Sequence, residues 1–279
     1  MPPKNPVLVQ NLPSGITTIC INRPYRRNAV DGPTAHNLYA AFIAFENDKR
    51  QKVCVLHGAQ GNFCAGADLQ EVSNIPTSPS TSEASTKANP MQPVNKSNPG
   101  PMGPSRMTLS KPVIAAVAGH AVAGGLELSL LADLRVVEED AIFGVFCQRF
   151  GVPLIDGGTV RLQRVIGLGR ALDMILTGRA VGVQEALAMG LANRVVPKGK
   201  AVEEAMGLAQ ELVKFPEKCM NGDRKSVYYA AYEAKGLQDA LQFEFQNGKR
   251  VVLEESVQGA ARFRDGVGRH GVFDGKAKL

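Results

Sequence analysis

The chain has 279 residues, 44% apolar and 21% charged, a composition that fits a soluble globular protein with one large core or two small ones. Its net charge of +6, from 32 basic and 26 acidic residues, suits an anionic ligand. No apolar run is long enough to span a bilayer, and the one short basic stretch, Arg23-Pro24-Tyr25-Arg26-Arg27, is too small for a nucleic-acid surface.

Ile16–Ile21 and Val53–His57 are rich in β-branched residues and read as strands. Between them, Ala35, Leu38, Tyr39, Phe42 and Phe45 recur near a helical period, which predicts a helix over Pro33–Asp48 with Asp31 as its N-cap. Pro76–Ser105 is dominated by Ser, Thr, Pro, Asn and Gly and cannot bury a core, so a mobile loop is expected there, interrupting the fold between two core strands. Val113–Ala118 reads as a buried strand, Gly124–Leu131 as a helix, and Leu134–Val137 and Ile142–Val145 as short strands. Strands alternating with helices predict an α/β fold with covered sheet faces. After about Gly158 helices dominate, over Gly169–Thr177, Val183–Met189 and Ala201–Phe215, with a short strand at Leu191–Val196. Long helical patterns follow Met220. The expected organisation is a core over residues 1–200, loop included, and a helical region over 201–279 that packs back or forms an oligomer interface.

The five cysteines, Cys20, Cys54, Cys64, Cys147 and Cys219, are odd in number, scattered and without a CxxC pair. The N-terminal MPPKNPVLVQN has no secretory h-region. Both point to a soluble protein of a reducing intracellular compartment. The four histidines do not cluster with cysteines or acids at ligand spacing, so no metal is expected. The ending Ala277-Lys278-Leu279 is a close variant of the Ser-Lys-Leu peroxisomal address. In a eukaryotic host it implies peroxisomal import and a receptor partner, and otherwise the cytoplasm is expected.

Three segments carry candidate chemistry. Phe63–Leu69 (FCAGADL) follows a strand, and its small residues let a ligand approach the backbone. Ala123–Glu127 (AGGLE) opens a helix, so its free N–H groups point outward and can polarise a carbonyl. Glu127 sits there among Leu126, Leu128, Leu130 and Leu131, a costly setting for a carboxylate unless it is paired or used. Phe143–Thr159 is a loop containing Cys147 and Asp156. Each segment alone also reads as a turn or a packing contact; their order along one chain is the stronger signal.

That order, NRPYRRNA over Asn22–Ala29, then FCAGADL, then KPVIAAVAGHAVAGGLELSLLADLRV from Lys111, then FG, GG and TGR, resembles the crotonase superfamily, the enoyl-CoA hydratase/isomerase family. The resemblance runs from about Val7 into the C-terminal helices. It implies a crotonase-like spiral of ββα units with a C-terminal helical oligomerisation region that builds homotrimers, often paired into hexamers. It implies acyl-CoA thioester substrates and no separate cofactor, coenzyme A being part of the substrate. The oxyanion hole would be the backbone N–H groups of Ala67 and Gly124. Ala65, Gly66, Ala67, Asp68 and Leu69 would contact the coenzyme, and Arg23, Arg26 or Arg27 its phosphates.

The family's hydratases use two glutamates, because adding water across a double bond needs groups in two protonation states. The first matches Glu127, whose place at a helix N-terminus is expected to hold it ionised as a base. The second would fall four residues before Gly151, where this chain has Cys147. The thiol at Cys147 is one replacement; Asp156, in the same loop, is the other. The implied reaction is hydration of 2-enoyl-CoA to 3-hydroxyacyl-CoA. Isomerisation of an enoyl- or dienoyl-CoA and non-catalytic binding of acyl-CoA are the alternatives.

Overall fold

The computed structural model describes residues 5–74, 93–95 and 98–268. Most of the segment expected as a loop over 76–105, and the Ala277-Lys278-Leu279 ending, lie outside the described residues. The chain forms two compact units, Met1–Val213 and Lys214–Leu279.

The first unit is built on a six-stranded sheet. Its strands are β1 (Val7–Asn11), β2 (Ile16–Ile21), β3 (Val53–Gly58), β4 (Val113–Val117), β6 (Leu134–Glu138) and β9 (Arg194–Val196), in the spatial order β1-β2-β3-β4-β6-β9. The β1–β2 pair is antiparallel and every other pair is parallel. A second sheet joins β5 (His120–Val122), β7 (Ile142–Gly144) and β8 (Ala180–Gly182). The chain alternates between the sheets: β4 runs into β5 and then helix α3 (Gly124–Leu131), and β6 runs into β7. One repeat earlier, β3 is followed by Cys64, which bridges Ala121 of β5, and then by helix α2 (Leu69–Val72). This is a ββα unit repeated, and each repeat delivers a loop to the start of α3.

Alternation along the strands explains the two packed faces of the large sheet. Cys54 and Leu56 of β3 join one cluster with Leu38, Phe42 and Phe45 of helix α1 (Gly32–Asn47) and with Leu126 of α3. Val53 and Val55 face the other way, with Ile16, Ile114 and Val136, against Ala201, Ala205, Leu208 and Ala209 of helix α7 (Ala201–Leu212). Helix α7 thus seals the far face of the core sheet and belongs to the first compact unit, which ends at Val213. Buried cations close two helix ends. Lys111 Nζ donates to the carbonyls of Phe45 and Asp48 at the end of α1, and Arg135 donates to those of Ser129 and Ala132 at the end of α3. At the start of α1, Asp31 caps the Thr34 N–H at 2.9 Å, as its sequence predicts.

The second unit is a helical hairpin. Helices α8 (Glu217–Tyr232) and α9 (Leu237–Val251) run antiparallel, with the Tyr229 and Phe243 rings stacked 3.8 Å apart and Asn247 Nδ2 donating to the Gly222 carbonyl. A π turn over Val252–Ser256 leads into α10 (Val257–Arg264). Leu237, Phe245, Leu253 and Val257 are exposed. No helix among the described residues is long and apolar enough to cross a membrane, and no group of metal-ligating side chains assembles there.

Candidate active site

The site is organised around the first turn of α3. Ala123, just before it, has φ 52° and ψ −126°, a sparsely populated conformation for a residue with a side chain. Its N–H is fixed by the Gly144 carbonyl at 2.8 Å, so this twist sets the direction of the next peptide N–H, that of Gly124. The two glycines allow other chain segments to close in. A β-carbon on Gly124 would lie 2.7 Å from Met102 Sδ, and one on Gly125 would collide with the Cys64 carbonyl oxygen.

The Cys64–Asp68 arm arrives along main-chain ladders. Cys64 bonds to both sides of Ala121, through His120 O at 2.8 Å and Val122 N at 3.1 Å. Val30 bonds to both sides of Ala67, through Gly66 O and Asp68 N at 2.8 Å each. A parallel bridge of this kind uses the groups flanking Ala67 and turns the Ala67 N–H away from Val30. Gly66, at φ +100°, brings the arm so close to α3 that a β-carbon there would stand 3.1 Å from Gly124 N. Among the described residues, no protein acceptor takes the Ala67 or Gly124 N–H. Two backbone N–H groups without a protein acceptor thus flank the contact between this arm and the start of α3.

Glu127 is 3% exposed. Its Oε1 accepts the N–H of Asp156 at 2.9 Å, from the loop before helix α4 (Gly158–Ile166), and of Gly158 at 2.8 Å, the first residue of that helix. Burial pushes its carboxyl up to about 7, the charge of Asp156 adds to this, and the two N–H donors and Arg161 oppose it. The N-terminus of α3 does not fully offset this rise. A helix dipole contributes about 0.3–1 kcal/mol at exposed sites, less than one pKa unit, and desolvation exceeds it.

The two candidates for a second proton-transfer group are placed differently. Cys147 lies in a 3₁₀ turn over Phe146–Phe150; burial pushes its thiol up, and the nearby charge of Glu127 pushes it further. It is a neutral thiol beside Glu127. Asp156 is as buried as Glu127, but its carboxylate faces another segment. Oδ1 accepts the Met102 N–H at 3.0 Å and the Ser105 hydroxyl. Burial raises its carboxyl too, against those two donors and the charges of Arg106 and Arg161. The end of the stretch expected as a loop is therefore structured: Met102, Pro104 and Ser105 are buried, and Gly100 and Gly103 exchange two main-chain hydrogen bonds. Composition hid this, because one buried carboxylate at a distance of 51 residues supplies the anchor. The Gly100/Gly103 pair around a single large apolar residue was the available sequence signal.

The three arginines separate as well. Arg23 is 5% exposed, and its guanidinium meets Asp31 at 2.7 Å, Asp68 at 3.0 Å and the Ala29 carbonyl. It is thereby committed to holding the arm and is not available to a phosphate. Asp68 also caps α2 through Gln70 N. Arg26 is exposed and donates to Gln70 Oε1 at 2.5 Å. Arg27 is exposed, in a left-handed conformation, and close enough to His120 for its charge to help push that imidazole down. Ala65 donates to the Arg27 carbonyl at 3.1 Å, and Leu69, at the start of α2, is exposed.

The profile of the enoyl-CoA hydratase/isomerase family matches residues 11–267. Enoyl-CoA hydratase EchA19 of Mycobacterium tuberculosis is 32% identical over 251 residues, covering 88% of each chain. Carnitinyl-CoA dehydratase of Escherichia coli K12 is 34% identical over 203 residues, 71% of each chain. The crystal structure of an enoyl-CoA hydratase from M. tuberculosis H37Rv superposes with a TM-score of 0.80 at 27% identity, covering 93% of this chain and 96% of that one. An enoyl-CoA hydratase from Bacillus anthracis also gives 0.80 at 27% identity, over 94% and 96%. With a family profile over nearly its whole length and a relative of this identity along most of both chains, this chain belongs to the enoyl-CoA hydratase/isomerase family.

Proposed function

We propose that the protein adds water to a 2-enoyl-CoA thioester, giving the 3-hydroxyacyl-CoA. The observation that carries this is Glu127: one carboxyl oxygen is pinned by two backbone N–H groups, and the residue stands one helical turn from the Gly124 N–H. The thioester oxygen sits between the Ala67 and Gly124 N–H groups. Glu127, ionised, takes a proton from water through Oε2 while the water oxygen bonds to the β-carbon. The π electrons move to the thioester oxygen as an enolate, and Glu127 returns the proton to the α-carbon. A group titrating near 7 is populated in both forms at neutral pH, so one carboxyl serves both steps. This accommodates Cys147 where a second glutamate is expected. Arg27 supplies positive charge for the coenzyme phosphates, consistent with its exposure and with Arg23 being engaged elsewhere.

A single carboxyl that accepts and returns a proton also suits allylic isomerisation of an enoyl-CoA, the second reading. The exposed apolar side chains of the C-terminal hairpin, among them Leu237 and Leu253, favour self-assembly into a trimer or hexamer, which light scattering would measure.

The test is turnover of purified protein with 2-enoyl-CoAs of several chain lengths and with a 3-enoyl-CoA, products identified by mass and by retention. Hydration is expected, and Glu127→Gln should lower it on the order of 10²- to 10⁴-fold. Double-bond migration without hydration would select the isomerase. Acyl-CoA binding with no product from any substrate would leave only a binding protein.

A further inference from the structure

We infer that Asp156 is a positioning residue, which ties the Met102–Ser105 segment to the Glu127 loop and so holds Met102 against the oxyanion donor Gly124, and that it is not the second proton-transfer group. The inference rests on the hydratase reading. Asp156 touches three parts of the site by three different atoms. Its N–H donates to Glu127 Oε1, its carbonyl accepts from Arg161 at 3.2 Å, and its Oδ1 takes both the Met102 N–H and the Ser105 hydroxyl. Met102 is fully buried, and its sulfur and neighbouring carbons fill the space where a side chain on Gly124 would be. Gly100 completes the clamp, since a β-carbon there would collide with Ser105 Oγ and stand 2.6 Å from Asp156 Oδ1.

Glu127 and Asp156 are each held through one oxygen, but by different partners: Glu127 Oε1 by the main-chain N–H groups of Asp156 and Gly158, and Asp156 Oδ1 by the segment that packs Met102 against Gly124, so the hydrogen bonds of Asp156 serve that contact. Its charge still acts on Glu127. The ionisable groups facing Glu127 are Asp156 and Cys147 from the loop side and Arg161 from α4; those facing Asp156 are Arg106 and Arg161. Removing the Asp156 charge while keeping its shape should therefore let Glu127 ionise at lower pH.

The experiment compares Asp156→Asn and Asp156→Ala with wild type in the full chain, with thermal melts as a check of folding. The asparagine variant keeps an acceptor oxygen for Met102 and Ser105. Its turnover should fall less than about tenfold, and the acidic limb of its rate profile should move to lower pH. The alanine variant should lose on the order of 10²-fold or more, as misplacement in an active site does, and Ser105→Ala should show part of the same loss. Loss in the asparagine variant as deep as in the alanine variant, with the acidic limb unmoved, would make Asp156 the proton-transfer group and overturn the inference. Glu127 titration followed by carbon-13 NMR of glutamate-labelled protein, assigned with Glu127→Gln, gives a readout independent of turnover. A lowered midpoint in Asp156→Asn supports the coupling even if no enoyl-CoA is hydrated, and an unmoved midpoint overturns it.

Discussion

Two arms meet at the start of α3, and they are held by different kinds of bond. The Cys64–Asp68 arm is laced in by main-chain ladders to Val30 and Ala121 and backed by the Arg23 ion pairs. The Gly100–Arg106 arm is joined to the Glu127 loop through the Asp156 carboxylate. Main-chain ladders do not titrate and survive most side-chain changes. A carboxylate anchor depends on one residue and on its charge. The molecule thus places the Ala67 N–H on the arm held by main-chain bonds and leaves the environment of Glu127 to the tunable one.

The largest expected effect tests the rigid arm from below. Arg23→Met leaves Asp31 and Asp68 without their buried counter-ion, which typically costs about 3–5 kcal/mol of stability. Urea unfolding should show a loss of that order. If ladders hold the arm, kcat of the folded fraction should change far less than stability does. A kcat collapse at temperatures where the variant is fully folded would mean that Arg23, rather than the main chain, positions Ala67.

A second change attacks the contact between this arm and α3. The β-carbon of Gly125→Ala collides with the Cys64 carbonyl oxygen, which is backbone and cannot rotate away. The arm must move off α3, and Ala67 N–H with it. Losing one oxyanion donor costs about 10²–10³ in kcat. Steady-state kinetics should show that loss with a smaller change in KM, because the donors act more on the enolate than on the bound thioester. An unchanged kcat would show that the donors do not depend on this contact.

The two arms also differ in how far their sequences announce them. FCAGADL and AVAGGLE carry their chemistry in small residues beside one acid, and the α1 helix announces itself by period and by the Asp31 cap. The second arm carries no such local signal. Its Pro, Ser and Gly residues read as a loop, and only the fold brings Asp156 within reach of Met102 and Ser105. Strands β5 and β8 are three residues each, too short for alternation to show, and α4 has glycine at its N-cap, so no capping side chain marks its start. Arg23 was indistinguishable in sequence from Arg26 and Arg27, since partner acids at positions 31 and 68 are assigned by folding.

The smallest effect is a pH dependence that belongs to the tunable arm. Folding raises the Glu127 carboxyl from about 4.3 in an unfolded chain to about 7. For an acid raised by folding, the native state holds the extra proton. The contribution of Glu127 is thus fully present below about pH 4 and is lost as pH rises through about 7, by a few kcal/mol at most. Asp156, also raised, acts in the same sense, so part of the slope belongs to it. Glu127→Gln keeps an acceptor for the Asp156 and Gly158 N–H groups without the titration. Compared with wild type by urea unfolding, it should gain relative stability between pH 5 and pH 8. A wild-type-minus-variant difference that is flat over that range would place Glu127 in a wetter, more ordinary setting than the geometry implies, and would remove the reason for one carboxyl to serve both proton transfers.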